Sequence, residues 1–450
     1  MIGKDLLLSA LRHEPVPRVP WVPFAGVHAG KLTGYNATEL LTDADKLVAS
    51  LIEVNAQYQP DGQPVIFDLQ VEAEILGCPL VWADKGPPTV AEHPLAARFD
   101  IPNRLPEKTD GRLPVILNAM RQMKTAVGSH TALYGLICGP FTLASHLRGT
   151  DIFMDMFDNP DAVHRLIDFC TRFDERIAAY YIEAGMDVIA IVDPLVSQIS
   201  PDHFCEFLSK PFKTIFSTLR QRGVLTSFFV CGDATRNIEV MCQTAPDAIF
   251  IDENIDMPAA KKITDRYNVT IGGNIPLSSV MLLGTQQDNM KCVLDLLDAM
   301  SHNNLVIAPG CDMPYDTPVE NVIGVMQAIR EPERVRQIIA GYQKVTTQTD
   351  IQLPDYDALE KPLIEVVTLD SATCPACTYM MNAVRVAKDH FGDQIDVVEY
   401  KIVEAQNIPR VQKMGIKNLP AIVINGQLAF SSLIPNKREL FERIGKAIDS

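Results

Sequence analysis

The chain has few cysteines and no long hydrophobic run, and these two shortages narrow its class. Its 450 residues include 10 cysteines, too sparse a set for a disulfide-stapled fold, so reduced thiols in a cytoplasmic protein are the default expectation. No apolar run reaches about 18 residues, the length that indicates a membrane span. The segment MIGKDLLLSALRHEP has too short an apolar stretch for a signal peptide and predicts a small amphipathic helix.

Basic residues are also scarce. Lys and Arg number 40 against 56 Asp and Glu, which gives a net charge of −16. Because nucleic acids and anionic membranes are bound through basic patches, neither partner is expected. Apolar residues make up 47% and charged residues 21%, which is typical of a folded globular protein.

Short apolar strands alternate with amphipathic helices over residues 1–343. The predicted strands are Val19–Phe24, Pro64–Asp68, Thr131–Ile137, Asp187–Asp193, Val224–Val230, Asp247–Ile251, Asn268–Gly273 and Asn304–Ala308. Several are continuous apolar runs, as expected for parallel strands covered on both faces. Eight strands joined by helical crossovers predict a (β/α)8 TIM barrel. A doubly wound open sheet is the alternative, but no G-x-G-x-x-G turn follows the first strand.

A second, smaller α/β domain is predicted after a linker. Residues 344–361, KVTTQTDIQLPDYDALEK, are polar, lack helical periodicity and contain Pro354, which indicates a linker. Residues 362–450 then follow the order strand, C-x-x-C, helix, strand, helix, hairpin, helix. The hairpin turn is Asn425-Gly426, a dipeptide that favours a two-residue turn.

Polar residues follow the predicted barrel strands, where the active site of such a barrel lies. The catalytic candidates are Asp68, Asp193 and His28, and the substrate-binding candidates are Gly139, Glu253 and Asn274. The aspartates could equally cap helices. His28, in GVHAG, is expected in a loop. There it could be a ligand, an acid or base, or merely an exposed residue. The glycine precedes a proline in a turn where a ligand can approach the backbone.

Two cysteines follow the fifth and eighth predicted strands. Cys231 and Cys311 would face one cavity, and two thiolates there suit a soft metal such as Zn²⁺. Free cysteines are also common as small buried packing residues, and the spacing alone favours that interpretation.

The barrel motifs resemble the uroporphyrinogen decarboxylase superfamily. They are the stretches GPFTLASHL (139–147), ISPDHFCEF (199–207), GGNIP (272–276) and APGCDMPYDTPVEN (308–321). One activity of that superfamily is cofactor-free decarboxylation of porphyrinogens, with an aspartate among the pyrrole NH groups that aligns with Asp68. These decarboxylases hold substrate carboxylates with N-terminal arginines, and PWVPFAGVHAGKLTG has no such pair. Unpaired carboxylates would be costly, which disfavours that activity.

The stretches PFAGVHAG, FDLQVEAEILGC and IDENID resemble the other branch, the corrinoid-dependent methyltransferases. The resemblance implies methyl transfer from a methylated cobamide protein to a small thiol such as coenzyme M. It also implies Zn²⁺ bound by His-x-Cys after strand five and Cys after strand eight. Cys231 and Cys311 match two ligands, whereas the histidine position is Phe229. A third ligand could come from His28, Glu253 or Asp233, or the site has lost its metal.

The tail resembles the thioredoxin/glutaredoxin group. Cys374-Pro375-Ala376-Cys377 follows a strand and opens a helix, and Leu419-Pro420 matches that family's cis-proline position. The resemblance implies that Cys374 is the nucleophile and Cys377 the resolving thiol. The tail could keep the barrel cysteines reduced, serve a partner protein, reduce a substrate, or act as a docking module.

The sequence therefore predicts a corrinoid-linked methyltransferase with an attached dithiol redox domain. Its expected partners are a corrinoid protein, a small thiol and a redox partner for the C-x-x-C pair. Two alternatives stay open: a cofactor-free decarboxylase, and a non-catalytic corrinoid- or tetrapyrrole-binding protein.

Overall fold

Apolar parallel strands form the centre of the first unit, Met1–Tyr342; the second unit is Gln343–Ser450. This computed structural model describes residues 1–343, 351–372, 375–416, 418–435 and 437–449. Strand bounds in the first unit are β1 Gly62–Pro64, β2 Leu80–Val81, β3 Thr89–Val90, β4 Ala132–Cys138, β5 Val188–Val192, β6 Leu225–Val230, β7 Ala248–Ile251, β8 Thr270–Ile275 and β9 Leu305–Pro309. In this part of the chain seven of them form one parallel sheet, in the order β1-β4-β5-β6-β7-β8-β9, and β2 pairs with β3.

The segment around Trp21 closes this sheet into a barrel. Trp21 forms a parallel bridge with Ile307 of β9, and the Val22 amide donates to the Ile307 carbonyl over 3.0 Å. On its other side the Trp21 carbonyl accepts from the amides of Asp61 (2.9 Å) and Gly62 (3.3 Å), at the start of β1. The first unit is therefore a (β/α)8 barrel, as the sequence predicted, with the Trp21 segment in the eighth strand position.

Two strands differ from the sequence prediction. The first is reduced from residues 19–24 to the bridge at Trp21. The second ends at Pro64, where it was predicted to begin. Beyond Val65 the chain turns away from β4, because the Asp68 carboxylate accepts from the Gln70 amide over 2.9 Å and directs the backbone towards a helix.

Amphipathic helices cover the barrel. Their bounds are α1 Gly3–Leu11, α2 His28–Thr33, α3 Ala37–Thr42, α4 Ala44–Tyr58, α5 Val71–Ile75, α6 Leu113–Ala126, α7 Pro140–Arg148, α8 Ile152–Asp158, α9 Pro160–Glu183, α10 Pro201–His203, α11 Ser209–Gln221, α12 Ile238–Cys242, α13 Met257–Arg266, α14 Gln286–Ala299, α15 Val319–Arg330 and α16 Pro332–Ile338. The helix predicted over residues 202–222 is interrupted by a π-helical turn at Phe204–Leu208. No helix in the described ranges is both long and apolar enough to cross a bilayer.

Aromatic side chains fill the inside of the barrel. The Phe229 ring on β6 lies 4.9 Å from Phe24, 5.8 Å from Phe67 and 6.0 Å from Phe250, between ring centroids. Tyr134 packs edge-on against Phe250 at 6.3 Å. The interior is thus a packed core rather than a pore.

The second unit is a four-stranded sheet flanked by helices. Its elements are β10 Leu363–Thr368, α17 Pro375–Phe391, β11 Asp396–Lys401, α18 Ile408–Lys413, β12 Ala421–Ile424, β13 Gln427–Ser431 and α19 Lys437–Ile448. The described strands lie in the order β11-β10-β12-β13, with β10 and β11 parallel and the other pairs antiparallel. Apolar residues of α17 and α19, such as Met380 and Leu440, pack with Ile364 and Ile422 of the sheet. This is the thioredoxin-like α/β fold that the sequence predicted.

Part of the predicted linker belongs to the second unit. Residues 344–350 lie outside the described residues, but Tyr356–Ala358 forms a 3-10 turn. The Tyr356 hydroxyl donates to Glu365 Oε2 over 2.8 Å, and Lys413 Nζ donates to the Ile351 carbonyl over 2.6 Å. The polar composition indicated a linker, but the buried Glu365 carboxylate on β10 holds Tyr356 and so fixes part of this segment.

Barrel closure depends on the buried carboxylate of Asp61, which pairs with the partly exposed Arg18. Asp61 is fully buried, binds both terminal nitrogens of Arg18 (2.7 and 2.6 Å) and accepts from the Trp21 amide. Asp61→Ala should lower the free energy of unfolding by about 2 kcal/mol, because it removes the acceptor of the buried Trp21 amide as well as the partner of Arg18. Urea unfolding followed by tryptophan fluorescence reports this unit alone, since both tryptophans, Trp21 and Trp82, lie in it.

The matched control is Asp298→Ala, which removes an exposed ion pair with Arg336 and should cost at most about 1 kcal/mol. Equal losses in the two variants would contradict the closing role of Asp61.

Candidate active site

The two cysteines predicted to converge do so at the carboxyl ends of the strands. Cys231 follows β6 and Cys311 follows β9, and their Sγ atoms lie 2.8 Å apart. Both residues are partly exposed. We call Cys231 and Cys311 the rim pair.

Two carboxylates that follow β7 adjoin the turns carrying the rim pair. Asp252 accepts from the backbone of Gly232, the residue after Cys231. A Cβ atom built on Gly310, the residue before Cys311, would lie 2.8 Å from the Glu253 backbone nitrogen. Glu253 Oε2 also accepts from the Leu277 amide. Glu253 is therefore fixed beside the turn of Cys311.

The environment of Glu253 favours its protonated form. Desolvation, followed by the charge of Asp252, raises the pKa of Glu253 to about 8, against a smaller lowering by the Leu277 amide. A carboxyl group with a pKa near the working pH can exchange a proton with a bound substrate.

Asp68 does not present a free carboxylate. Its side chain is fully buried and lies 2.7 Å from Arg112 Nη1, and Arg112 also binds Glu74 over 2.7 Å. The Arg112 guanidinium lies over the Trp82 ring, 4.9 Å from its centroid. The predicted catalytic Asp68 is thus neutralised by an arginine that sequence reasoning missed, because a single Arg before α6 carries no motif.

Asp193 holds the start of a helix. Its carboxylate accepts from the amides of Phe141 (2.9 Å) and Thr142 (3.0 Å) and from the Thr142 hydroxyl (2.6 Å), in the first turn of α7. Burial is the main cause that raises the pKa of Asp193 to about 7. Gly139 is required here, because a Cβ atom on it would lie 2.4 Å from Asp193 Cβ. Asp193, predicted as a catalytic residue, and Gly139, predicted as a substrate-binding residue, thus join β5 to α7.

His28 is buried in helix α2 rather than placed in a loop. Its Nε2 lies 2.7 Å from the Tyr58 hydroxyl and its Nδ1 lies 3.0 Å from the Tyr315 carbonyl. Desolvation lowers the pKa of His28 to about 4, so the ring is neutral at physiological pH. Both ring nitrogens are engaged, which leaves no lone pair for a metal.

Asn274 braces the loop after β7. It is buried, and its Nδ2 donates to the carbonyls of Asp252 (3.0 Å) and Ile255 (2.8 Å). The peptide bond before Asn274 is cis. The two hydrogen bonds of the Asn274 side-chain amide position the loop that carries Glu253.

The residues around the rim pair do not fit the zinc site that the sequence suggested. In the described ranges, no group of three or more His, Cys, Asp or Glu side chains is placed to hold a metal ion. Phe229 occupies the expected histidine position and lies in the aromatic core. Asp233 Oδ1 accepts from the Thr235 amide (3.1 Å) and hydroxyl (2.6 Å). Two cysteines alone fall short of the three protein ligands that are usual for catalytic zinc.

The C-x-x-C site is only partly described, because Cys374 lies outside the described residues. Cys377 is buried, and its Sγ accepts from the Leu369 amide over 3.3 Å. The Leu419–Pro420 peptide bond is cis, as the sequence predicted.

Glu72, which is buried, and Asp312, which is partly exposed, are further acids near the rim. Asp312 follows Cys311, and burial is the main cause that raises its pKa well above the usual range. Burial also raises the pKa of Glu72 to about 8, against smaller opposing hydrogen bonds. No sequence signal separates these residues from ordinary surface acids, because their burial depends on how the helices pack.

Comparison with known proteins defines the class. Residues 3–332 match the family model "Uroporphyrinogen decarboxylase (URO-D)" and residues 363–444 match "Thioredoxin domain". The chain belongs to the uroporphyrinogen decarboxylase family, with a C-terminal thioredoxin domain.

Methyltransferases are among the similar proteins. The chain is 30% identical to the methylcobamide:CoM methyltransferase MtbA of Methanosarcina acetivorans over 71% of this chain and 95% of that protein. It is 29% identical to the methylcobamide:CoM methyltransferase MtaA of Methanosarcina barkeri, over 72% of this chain and 96% of that protein. A solved methyltransferase from Methanosarcina mazei aligns with a TM-score of 0.69 and 25% identity, over 74% of this chain and 99% of that one.

Buried acids near the rim predict an unusual dependence of stability on pH. Because the folded-state pKa of Glu72 is raised to about 8, its contribution to stability is lost as the pH rises from its unfolded value towards 8. Glu72→Gln mimics the protonated form. Relative to the parent chain, it should gain a few kcal/mol at pH 8 and little at pH 5, measured by urea unfolding.

Glu239→Gln, at an exposed ion pair with Arg266, is the matched control and should leave the difference between the two pH values unchanged. If Glu72→Gln and the parent chain lose stability in parallel as the pH rises, Glu72 is not held protonated.

Proposed function

We propose that this protein transfers a methyl group from a methylated cobamide, carried by a partner protein, to a small thiol. The likeness to methylcobamide:CoM methyltransferases over 95% of their length carries the proposal. The engagement of Asp68 by Arg112 disfavours the decarboxylase alternative, since that carboxylate has no free face for a substrate.

The reaction needs a deprotonated acceptor thiol. The thiol loses its proton, its sulfur bonds to the methyl carbon, and the electron pair of the broken carbon–cobalt bond stays with the donor. A thiol is a weak nucleophile until it becomes a thiolate, so a nearby proton acceptor accelerates the step.

Glu253 is the proton acceptor in this proposal. It is partly exposed at the rim, its backbone adjoins the turn of Cys311, and its pKa is raised to about 8. Asp193, His28 and Asn274 act as positioning residues, because each is engaged with other parts of the barrel.

Glu253→Gln tests this role. The rate of methyl transfer from methylcobalamin to coenzyme M should rise with pH through about 8 in the parent chain, since the ionised carboxylate is the active form. In the variant, the increase in rate through about pH 8 should be lost, whereas the increase caused by ionisation of the thiol itself should remain. The rate should also be lower by about 10²-fold or more.

Glu239→Gln is again the control and should retain both the rate and the pH profile. An unchanged profile in Glu253→Gln would remove the proposed base. Binding of methylcobalamin without transfer, with and without a corrinoid protein, would favour a carrier, and decarboxylation of a porphyrinogen would favour the other family activity.

The C-terminal domain is proposed to be an attached dithiol redox module. Its support is the C-x-x-C sequence at 374–377 and the match to the thioredoxin domain. A corrinoid protein, a small thiol and a redox partner are the partners that this proposal implies.

A further inference from the structure

The rim pair is placed as two sulfurs that can bond to each other. The Sγ atoms of Cys231 and Cys311 are 2.8 Å apart, within about 0.8 Å of the length of a disulfide bond. The cysteines sit on separate turns, after β6 and after β9, and both are partly exposed. A disulfide reagent in solution can therefore reach them.

The space on the barrel side of the rim pair holds hydrocarbon rather than a metal ligand. Phe229 lies on β6, two residues before Cys231, which follows the end of that strand. The Phe229 ring is buried against Phe24 and Phe67. In the described residues, no third acidic, histidine or cysteine ligand completes a metal site with the pair. Two adjacent thiols without a metal are suited to two-electron redox chemistry.

We propose that Cys231 and Cys311 are a redox-active dithiol that cycles between two thiols and an intramolecular disulfide at the mouth of the barrel. The thiolate of one cysteine attacks a disulfide R–S–S–R, forming a mixed disulfide and releasing R–S⁻. The second cysteine loses its proton and displaces the other R–S⁻. In sum, two protein thiols are oxidised, one disulfide is reduced to two R–SH, and two electrons are transferred.

The co-reactant is a disulfide from one of two sources. One is a small-molecule disulfide, and the other is the Cys374–Cys377 pair of the same chain. The C-terminal pair is a candidate because it belongs to a thioredoxin domain, whose C-x-x-C sequence suits thiol–disulfide exchange. This activity needs no methyl donor, so it is independent of the proposed methyl transfer.

The first test measures the disulfide itself. The full chain is reduced, freed of reductant without oxygen, treated with oxidised glutathione, alkylated and digested. Mass spectrometry should find the peptides of Cys231 and Cys311 linked, and dithiothreitol should reverse the link. The link should be lost in Cys231→Ser and Cys311→Ser and retained in Cys205→Ser, which removes an exposed cysteine of the same barrel.

The second test separates the two sources. The oxidised chain and its Cys374→Ser/Cys377→Ser variant are mixed with limiting dithiothreitol, and reduction of the rim disulfide is followed by alkylation. If the C-terminal pair is the exchange partner, reduction of the rim disulfide in the variant should be slower by about tenfold or more. Equal rates assign the exchange to small-molecule disulfides.

Two results would overturn the proposal. One is a rim pair that stays unlinked under oxidised glutathione, or that links no more than Cys205 does. The other is one zinc ion per chain that is lost in Cys311→Ser and retained in Cys205→Ser, since the sulfurs would then be metal ligands. Because neither measurement uses a methyl donor, these failures are distinguishable from a failure of methyl transfer.

Discussion

Closure of the parallel sheet at Trp21 is the constraint on which the active-site rim depends. The Trp21 segment bonds to β9 on one side and to the start of β1 on the other, and the buried Asp61 carboxylate, paired with Arg18, accepts from the Trp21 amide. Only a closed barrel brings the ends of β6 and β9 to one rim. The short distance between Cys231 and Cys311 is therefore a property of the whole barrel.

Most polar residues at the rim hold the scaffold rather than contact solvent. Asp193 holds the start of α7, His28 links α2 to Tyr58 and Tyr315, and Asn274 holds the loop after β7. Buried polar groups need such partners, because an unpaired one is costly. The rim pair and Glu253 are partly exposed and are the groups to which chemistry is assigned in the proposals above.

The family likeness and the local geometry differ at one point. Similar proteins are methylcobamide:CoM methyltransferases, whereas the two cysteines here lack a third metal ligand within the described residues. Phe229 explains the difference physically, since a buried aromatic ring cannot coordinate a metal and belongs to the core that fills the barrel. A pair of thiols can carry out dithiol–disulfide chemistry without a metal, which is the basis of the redox role proposed for the rim pair.

The sequence by itself determined the element pattern, the residues that follow each strand, and the C-x-x-C fold with its cis Pro420. The element pattern depends on local periodicity and turn chemistry, which a single chain displays, whereas the cis proline was implied by the resemblance to the thioredoxin group. Only the tertiary structure decided which side chains meet. Arg112 neutralises Asp68, and two tyrosines occupy both nitrogens of His28. Such pairings join distant segments through barrel closure and helix packing, and no spacing along the chain encodes them.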